Sequence, residues 1–277
     1  AAGLLVVDVL LVRTGIRVFN REELLSGEAA SSGLRGIAGR FWGYCVGPVA
    51  AAWRRQPPGP RWRRALGVWS WLYVRHLPGL VRKGGMALAV SLAAMGAASA
   101  LGWVYAQQHP LPAGALRLGE LSPEALKVPV APGLLPPLEP WPIFWHNARA
   151  LAMGLLGAPL SFGAVPVLLA MLPMALVGFL AGEVALAGYA PGTFLLAFVV
   201  PHGVLEIPAA WLAYAFALRA GLAVVASGEG RERGGLLAAL AEFVQVFLFL
   251  VVPLLLLAAW VEARLTPQVI WWVYGAG

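Results

Sequence analysis

The sequence predicts an all-α fold: a polytopic transmembrane helical bundle of about five spans, preceded by basic amphipathic helices. Three observations predict it. Of 277 residues, 60% are hydrophobic and only 12% are charged, half the roughly 25% charge of an ordinary soluble domain. Mean hydropathy is +0.77, more apolar surface than a fold of this length can bury away from water. Uncharged stretches recur at lengths near the ~20 residues that a helix needs to cross hydrocarbon.

The elements follow in order. Residues 1–12, AAGLLVVDVLLV, are apolar but too few to span. They read either as the end of an earlier span or as an interfacial helix, and Asp8 with no basic flank ahead of it argues against a signal peptide. Residues 1–83 form a basic and aromatic segment that is cytoplasmic or interfacial. In RWRRALGVWSWLYVRHLPGLVRK, Arg and Trp interleave, which suits a helix in the headgroup layer with rings at the interface and cations on phosphates. Stacking of single-stranded nucleic acid on the same rings is the weaker alternative, so no nucleic-acid partner is assigned. QPPGP at 56–60 interrupts this segment.

The transmembrane domain covers 84–277. Its first span, 84–106, is uncharged and rich in Gly, Ala and Ser, a composition that favours close helix packing. An external Pro-rich loop follows at 107–142. Spans two and three, 143–160 and 164–186, are separated by GAPLSFGAVP, whose prolines and glycines break the helical pattern. Span four covers 193–218, with Thr193 as its N-cap. Span five covers 236–261. The single Cys45 excludes an intrachain disulfide.

Basic residues set the expected orientation. The Arg-rich segment before residue 84 marks the cytoplasmic side. Five spans then return the second basic loop, with Arg219, Arg231 and Arg233, to that side and leave the C-terminus outside. A re-entrant hairpin over 143–163 would put that loop outside instead, so charge asymmetry favours full spans.

Ionisable residues in spans are rare and turn toward the bundle interior or a watery cavity. Here His202 and Glu206 lie one helical turn apart on one face. Glu183 from span three and Asn147 from span two come to similar depth, so an intramembrane polar cluster of Asn147, Glu183, His202 and Glu206 is expected in the outer half. Arg149, Glu242 and Glu262 are supporting polar residues. Pro201 and Pro208 each remove a backbone donor, and Gly203 leaves room for a neighbouring helix. Gly178 and Gly182 form a GxxxG pair that suits a helix contact or a dimer seam.

Three readings of the cluster compete. It holds the bundle together, or it forms a transport or proton-relay site of the kind that broken helices mark, or it binds a metal with His146 as third ligand. No HExxH or GxSxG motif occurs. The reading adopted is not an enzyme, and it assigns no catalytic residue, metal or cofactor.

FWHNARALAMGLLGAPLSFG, GFLAGEVALAGY, PHGVLEIPAAWLAYAFALRAG and PLLLLAAWVEARLTP together resemble the stage II sporulation protein M family, over about residues 70–266. The Pro-His-Gly-x-x-Glu-x-Pro run is its most specific element. The resemblance implies a polytopic membrane protein without established chemistry of its own. The family's founding member anchors peptidoglycan-degrading partners at the septal membrane during engulfment. The family's polar positions fall on Asn147, Glu183, His202, Glu206 and Glu262. Separately, LLVVDVLLVRTGIRVFNREELLSG, within residues 1–27, is similar to the C-terminal end of an ABC-type exporter permease.

The expected function is therefore a non-catalytic scaffold in the cytoplasmic membrane of a bacterium or archaeon, anchoring a complex that remodels the envelope. The alternative is a transporter or channel-like subunit that uses the His/Glu cluster and is associated with an ABC exporter. Expected partners are the lipid bilayer, other membrane or envelope proteins, an ABC permease and a second copy of the chain.

Overall fold

A computed structural model describes residues 29–112, 114–116, 118, 136–226 and 235–275. The permease-like residues 1–27, most of the Pro-rich loop and the Arg231 and Arg233 loop lie outside the described residues. Among the described residues the regular structure is helical throughout. Helix α1 is Ala29–Arg55. Helix α2 covers 61–83, as Arg61–Trp71, a π-helical turn Leu72–His76, and Leu77–Lys83. Helices α3, Gly85–Gln108, α4, Pro140–Leu160, and α5, Ala164–Leu186, follow. Helix α6 covers 191–226, as Pro191–Phe194, a π turn Leu195–Val199, and Val200–Ala226. Helix α7 covers 235–264, as Gly235–Val246, a π turn Phe247–Val251, and Val252–Arg264. Helix α8 is Thr266–Tyr274.

Length and apolarity qualify four stretches to cross a membrane: α3, α5, α6, and α7 continued into α8. Helix α4 is not among them, because His146, Asn147 and Arg149 dilute its first half. The packing nevertheless shows which way each helix runs. Gly178 lies against Ser99, and Gly182 against Trp103 and Ala106, so α3 and α5 are parallel. The chain must therefore return along the bundle between them, and α4 makes that return. Its Gly154 and Gly157 meet Leu169 and Val165, an antiparallel pairing with α5. At ~1.5 Å per residue its 21 residues reach about 31 Å, the thickness of the hydrocarbon layer. Helix α6 runs parallel to α4, since Asn147 meets Glu206 and Gly154 meets Tyr214. Helix α7 runs antiparallel to α6, since Arg219 meets Glu242 and His202 meets Thr266. The five helices alternate in direction, as full spans require and a re-entrant hairpin at α4 does not.

Small residues make the tightest seam. A methyl at Gly102 would strike the Ala175 carbonyl, and one at Gly178 the Ser99 carbonyl. Backbone therefore meets backbone along α3 and α5, the contact geometry that small residues allow between helices in lipid. The GxxxG pair is thus a helix contact within the chain. A second close approach sets Gly221 of α6 against Gly163 and Ala158. Gly163 has φ +94° and Phe162 has φ 52° in the turn that reverses the chain between α4 and α5. Ser161 serves both helices there: its hydroxyl donates to Gly157 O at 2.7 Å and accepts from Val165 N–H at 3.0 Å.

Several boundaries differ from expectation. The Pro-rich connection is shorter than 107–142, because α3 continues to Gln108 and α4 begins at Pro140. Thr193 does not cap α6. The helix starts at Pro191 after Ala190, with proline in the first turn where its missing N–H costs nothing. Helix α4 passes through Pro159, so the expected break narrows to residues 161–163.

Helices α1 and α2 form a hairpin laid against the first half of α7. Gln245, buried on α7, holds both arms. Its Nε2 donates to Tyr44 O at 3.1 Å and to Cys45 O at 2.8 Å, and its Oε1 lies 2.9 Å from His76 Nε2. The hairpin leaves Trp42, Trp62, Leu66, Trp69 and Val74 exposed among arginines.

Candidate functional site

The site begins with a local break in α6. Pro201 cannot donate to the carbonyl one turn earlier, and its ring would clash with it. The helix widens into the π turn Leu195–Val199 just ahead of the proline, which moves that carbonyl aside. His202 follows at once, and Glu206 sits one turn later on the same face. Helix α7 meets this face near its own end. Leu265 interrupts the helix between Glu262 and Thr266, and α8 continues from there.

His202, Glu206 and Glu262 offer three ligand atoms that all lie within 4.8 Å of one another. Each side chain is half-buried. Hydrogen bonds from neighbouring residues orient two of them. Asn147 Nδ2 on α4 donates to Glu206 Oε1 at 2.9 Å. Thr266 Oγ1 on α8 lies 3.3 Å from His202 Nδ1 and also 3.4 Å from Val261 O. The Thr266 hydroxyl can donate to the Val261 carbonyl and accept from Nδ1–H of His202, the pairing in which Nε2 keeps its lone pair. Along α6, His202 is 17 residues from Arg219, about 25 Å, and 11 residues from the helix start at Pro191, about 16 Å, which sets the cluster inside the bundle and apart from both helix ends.

The structure brings together Asn147, His202 and Glu206 as the sequence pattern suggests, and it adds Glu262 and Thr266. The helices that meet are α4, α6, α7 and α8. Glu183 stands apart from the trio. It is 3% exposed, and its Oε2 accepts the backbone N–H of Leu111 at 3.0 Å, tying α5 to the chain that leaves α3. His146 is not the third member of the trio, and Arg149 is exposed on α4. At Gly203 the atoms that an added methyl would meet first belong to Val199 and Ile207 of α6 itself, so the glycine does not mark a backbone contact like that of Gly178. Pro208 lies inside α6 without a π turn. Glu262 was legible as a polar residue near the end of a span, but its partner across α6 follows only from the antiparallel register of α6 and α7.

Glu242 belongs to a different group at the opposite end. Its Oε2 pairs with Arg219 Nη2 at 2.7 Å, and its Oε1 lies 3.8 Å from Lys83 Nζ. Arg219 also stacks over Phe216, 5.1 Å from the ring centre. This group joins the ends of α2, α6 and α7.

Among the comparisons with known proteins, the sequence model of one protein family, stage II sporulation protein M, matches residues 91–267. That stretch contains every member of the trio as well as Asn147, Glu183 and Thr266. No curated protein and no solved structure matches.

Proposed function

The chain belongs to the stage II sporulation protein M family, and from that premise we propose that it is a non-catalytic membrane scaffold anchoring partners that remodel the cell envelope. The observation that carries this reading is the docking of the α1–α2 hairpin. One buried side chain, Gln245, takes one hydrogen bond from α2 and gives two to α1. A basic, aromatic platform is thereby fixed to a bundle whose α3–α5 seam closes backbone on backbone. Exposed Trp42, Trp62 and Trp69 among arginines suit a surface held at the headgroup layer. By the basic-residue rule the platform faces the cytoplasm, with the 109–139 connection outside. A fixed platform on one face and an external connection on the other can couple partners across the membrane without moving.

A second reading is favoured by the trio itself. Two carboxylates and a histidine deep in a bundle also suit a transported cation, and this reading keeps the ABC exporter as a partner. One experiment separates the two. The full chain and its Glu206→Gln form are crosslinked in host membranes, and each is reconstituted into vesicles for proton and sodium flux. The scaffold reading expects the same envelope partner captured by both forms and flux no greater than in empty vesicles. Flux in the parent chain that disappears in the folded variant overturns it.

A further inference from the structure

We propose that His202, Glu206 and Glu262 form a binding site for a divalent transition-metal cation, which clamps α6 to α7 inside the bundle. The inference goes beyond both readings of function and depends on neither.

Three features carry it. First, the ligand atoms come from two antiparallel helices and converge within 4.8 Å of one another, so a small inward shift of the side chains brings all three onto one ion at the ~2.0–2.2 Å bond lengths of such metals. Second, the donors are prepared from outside the trio. The Thr266 hydroxyl lies 3.3 Å from His202 Nδ1, and in the tautomer where it accepts Nδ1–H the Nε2 lone pair is left for a metal. Asn147 holds one oxygen of Glu206. Such outer partners fix tautomer and orientation at metal centres. Third, the site holds no cation of its own. Two carboxyl groups and an imidazole meet in a low-dielectric site, and among the described residues no Lys or Arg makes an ion pair with either acid. A dication displaces any acid protons, is neutralised by the two carboxylates, and makes three bonds. The imidazole favours a first-row transition metal over magnesium or calcium, which prefer all-oxygen sites.

The test uses the full chain purified in detergent, stripped with a chelator and titrated with Zn²⁺, with uptake read by calorimetry and by metal analysis after desalting. The wild type is expected to retain one equivalent. Glu262→Gln and Glu206→Gln should each weaken binding at least tenfold, and Asn147→Ala about tenfold through the lost orientation of Glu206. Glu183→Gln removes a carboxylate elsewhere in the bundle and should leave uptake unchanged. Helix content and elution volume identify any variant that fails to fold. For such a position the conservative change Glu→Asp serves instead, and it should also weaken binding. The proposal is overturned if the folded wild type retains no more zinc than the Glu206→Gln/Glu262→Gln double variant, or if Glu183→Gln lowers uptake as much as Glu262→Gln does.

Discussion

At the scale of single residues, the polar side chains sort into two groups about 25 Å apart along α6, and only one was foreseeable as a group. His202 and Glu206 declare themselves by a four-residue spacing within one helix. Asn147 was legible because its depth could be counted from the end of its span. Glu183 has similar depth by the same count, yet it bonds to Leu111. Depth alone does not say which face of a helix a residue occupies, and α5 turns that face to α3. The Arg219–Glu242 pair follows a different logic. Both side chains are about a fifth exposed, 23% and 20%, and Lys83 stands behind the carboxylate. Removing one partner leaves the other charge poorly solvated. Arg219→Met is therefore expected to destabilise the folded protein by roughly 2–3 kcal/mol, just below the cost of breaking a fully buried pair. Arg219→Met combined with Glu242→Leu should recover most of that loss. Thermal unfolding in detergent, run as a double-mutant cycle, measures both, and a double variant as unstable as the sum of the singles would refute the pairing.

At the scale of elements, three helices share one device. The π turns Leu72–His76, Leu195–Val199 and Phe247–Val251 are each followed, after one intervening residue, by a proline: Pro78, Pro201 and Pro253. In each, the widened turn frees the ring from the carbonyl it would strike. The prolines were visible in the sequence, but the repair was not. Pro48, Pro159, Pro173 and Pro208 sit inside helices of ordinary pitch, so proline by itself does not announce a π turn. Glycine shows the same ambiguity. Gly178 and Gly203 are both span glycines, and the sequence suggested a close helix neighbour for each. A methyl at Gly178 would collide with the Ser99 backbone, whereas one at Gly203 first meets side-chain methyls of Val199 and Ile207, at 3.2 and 3.4 Å. Gly178→Ala should thus cost about 1–3 kcal/mol as overpacking. Gly203→Ala should stay within about 1 kcal/mol of the parent, because a gain in helix propensity offsets the small adjustment. Comparing the two midpoints in the same detergent tests the assignment, and equal losses would contradict it.

At the scale of the whole molecule, fold class and the approximate number of spans were legible because hydropathy reports transfer to lipid residue by residue. The direction of α4 was legible only through the charge asymmetry of the loops, because its polar first half gives it the composition of a helix that need not cross. The register settles it: α3 and α5 run parallel, so residues 107 and 190 lie at one end of the bundle, and residues 82 and 225, beside the Lys83–Glu242 and Arg219–Glu242 contacts, lie at the other. Impermeant maleimide labelling of intact cells examines this directly, in a Cys45→Ala background carrying one new cysteine at a time. Gln107, Ala190, Arg82 and Val225 are all exposed, so each accepts a cysteine without disturbing a seam. With the basic platform in the cytoplasm, Gln107→Cys and Ala190→Cys are expected to label in intact cells. Arg82→Cys and Val225→Cys should label only after permeabilisation. A reversed orientation would exchange the two pairs and leave the bundle as described. Labelling that puts residues 107 and 190 on opposite sides would mean that α4 turns back within the membrane. The parallel packing of α3 against α5 could not then survive, and neither could the meeting of Asn147 with Glu206 that this packing makes possible.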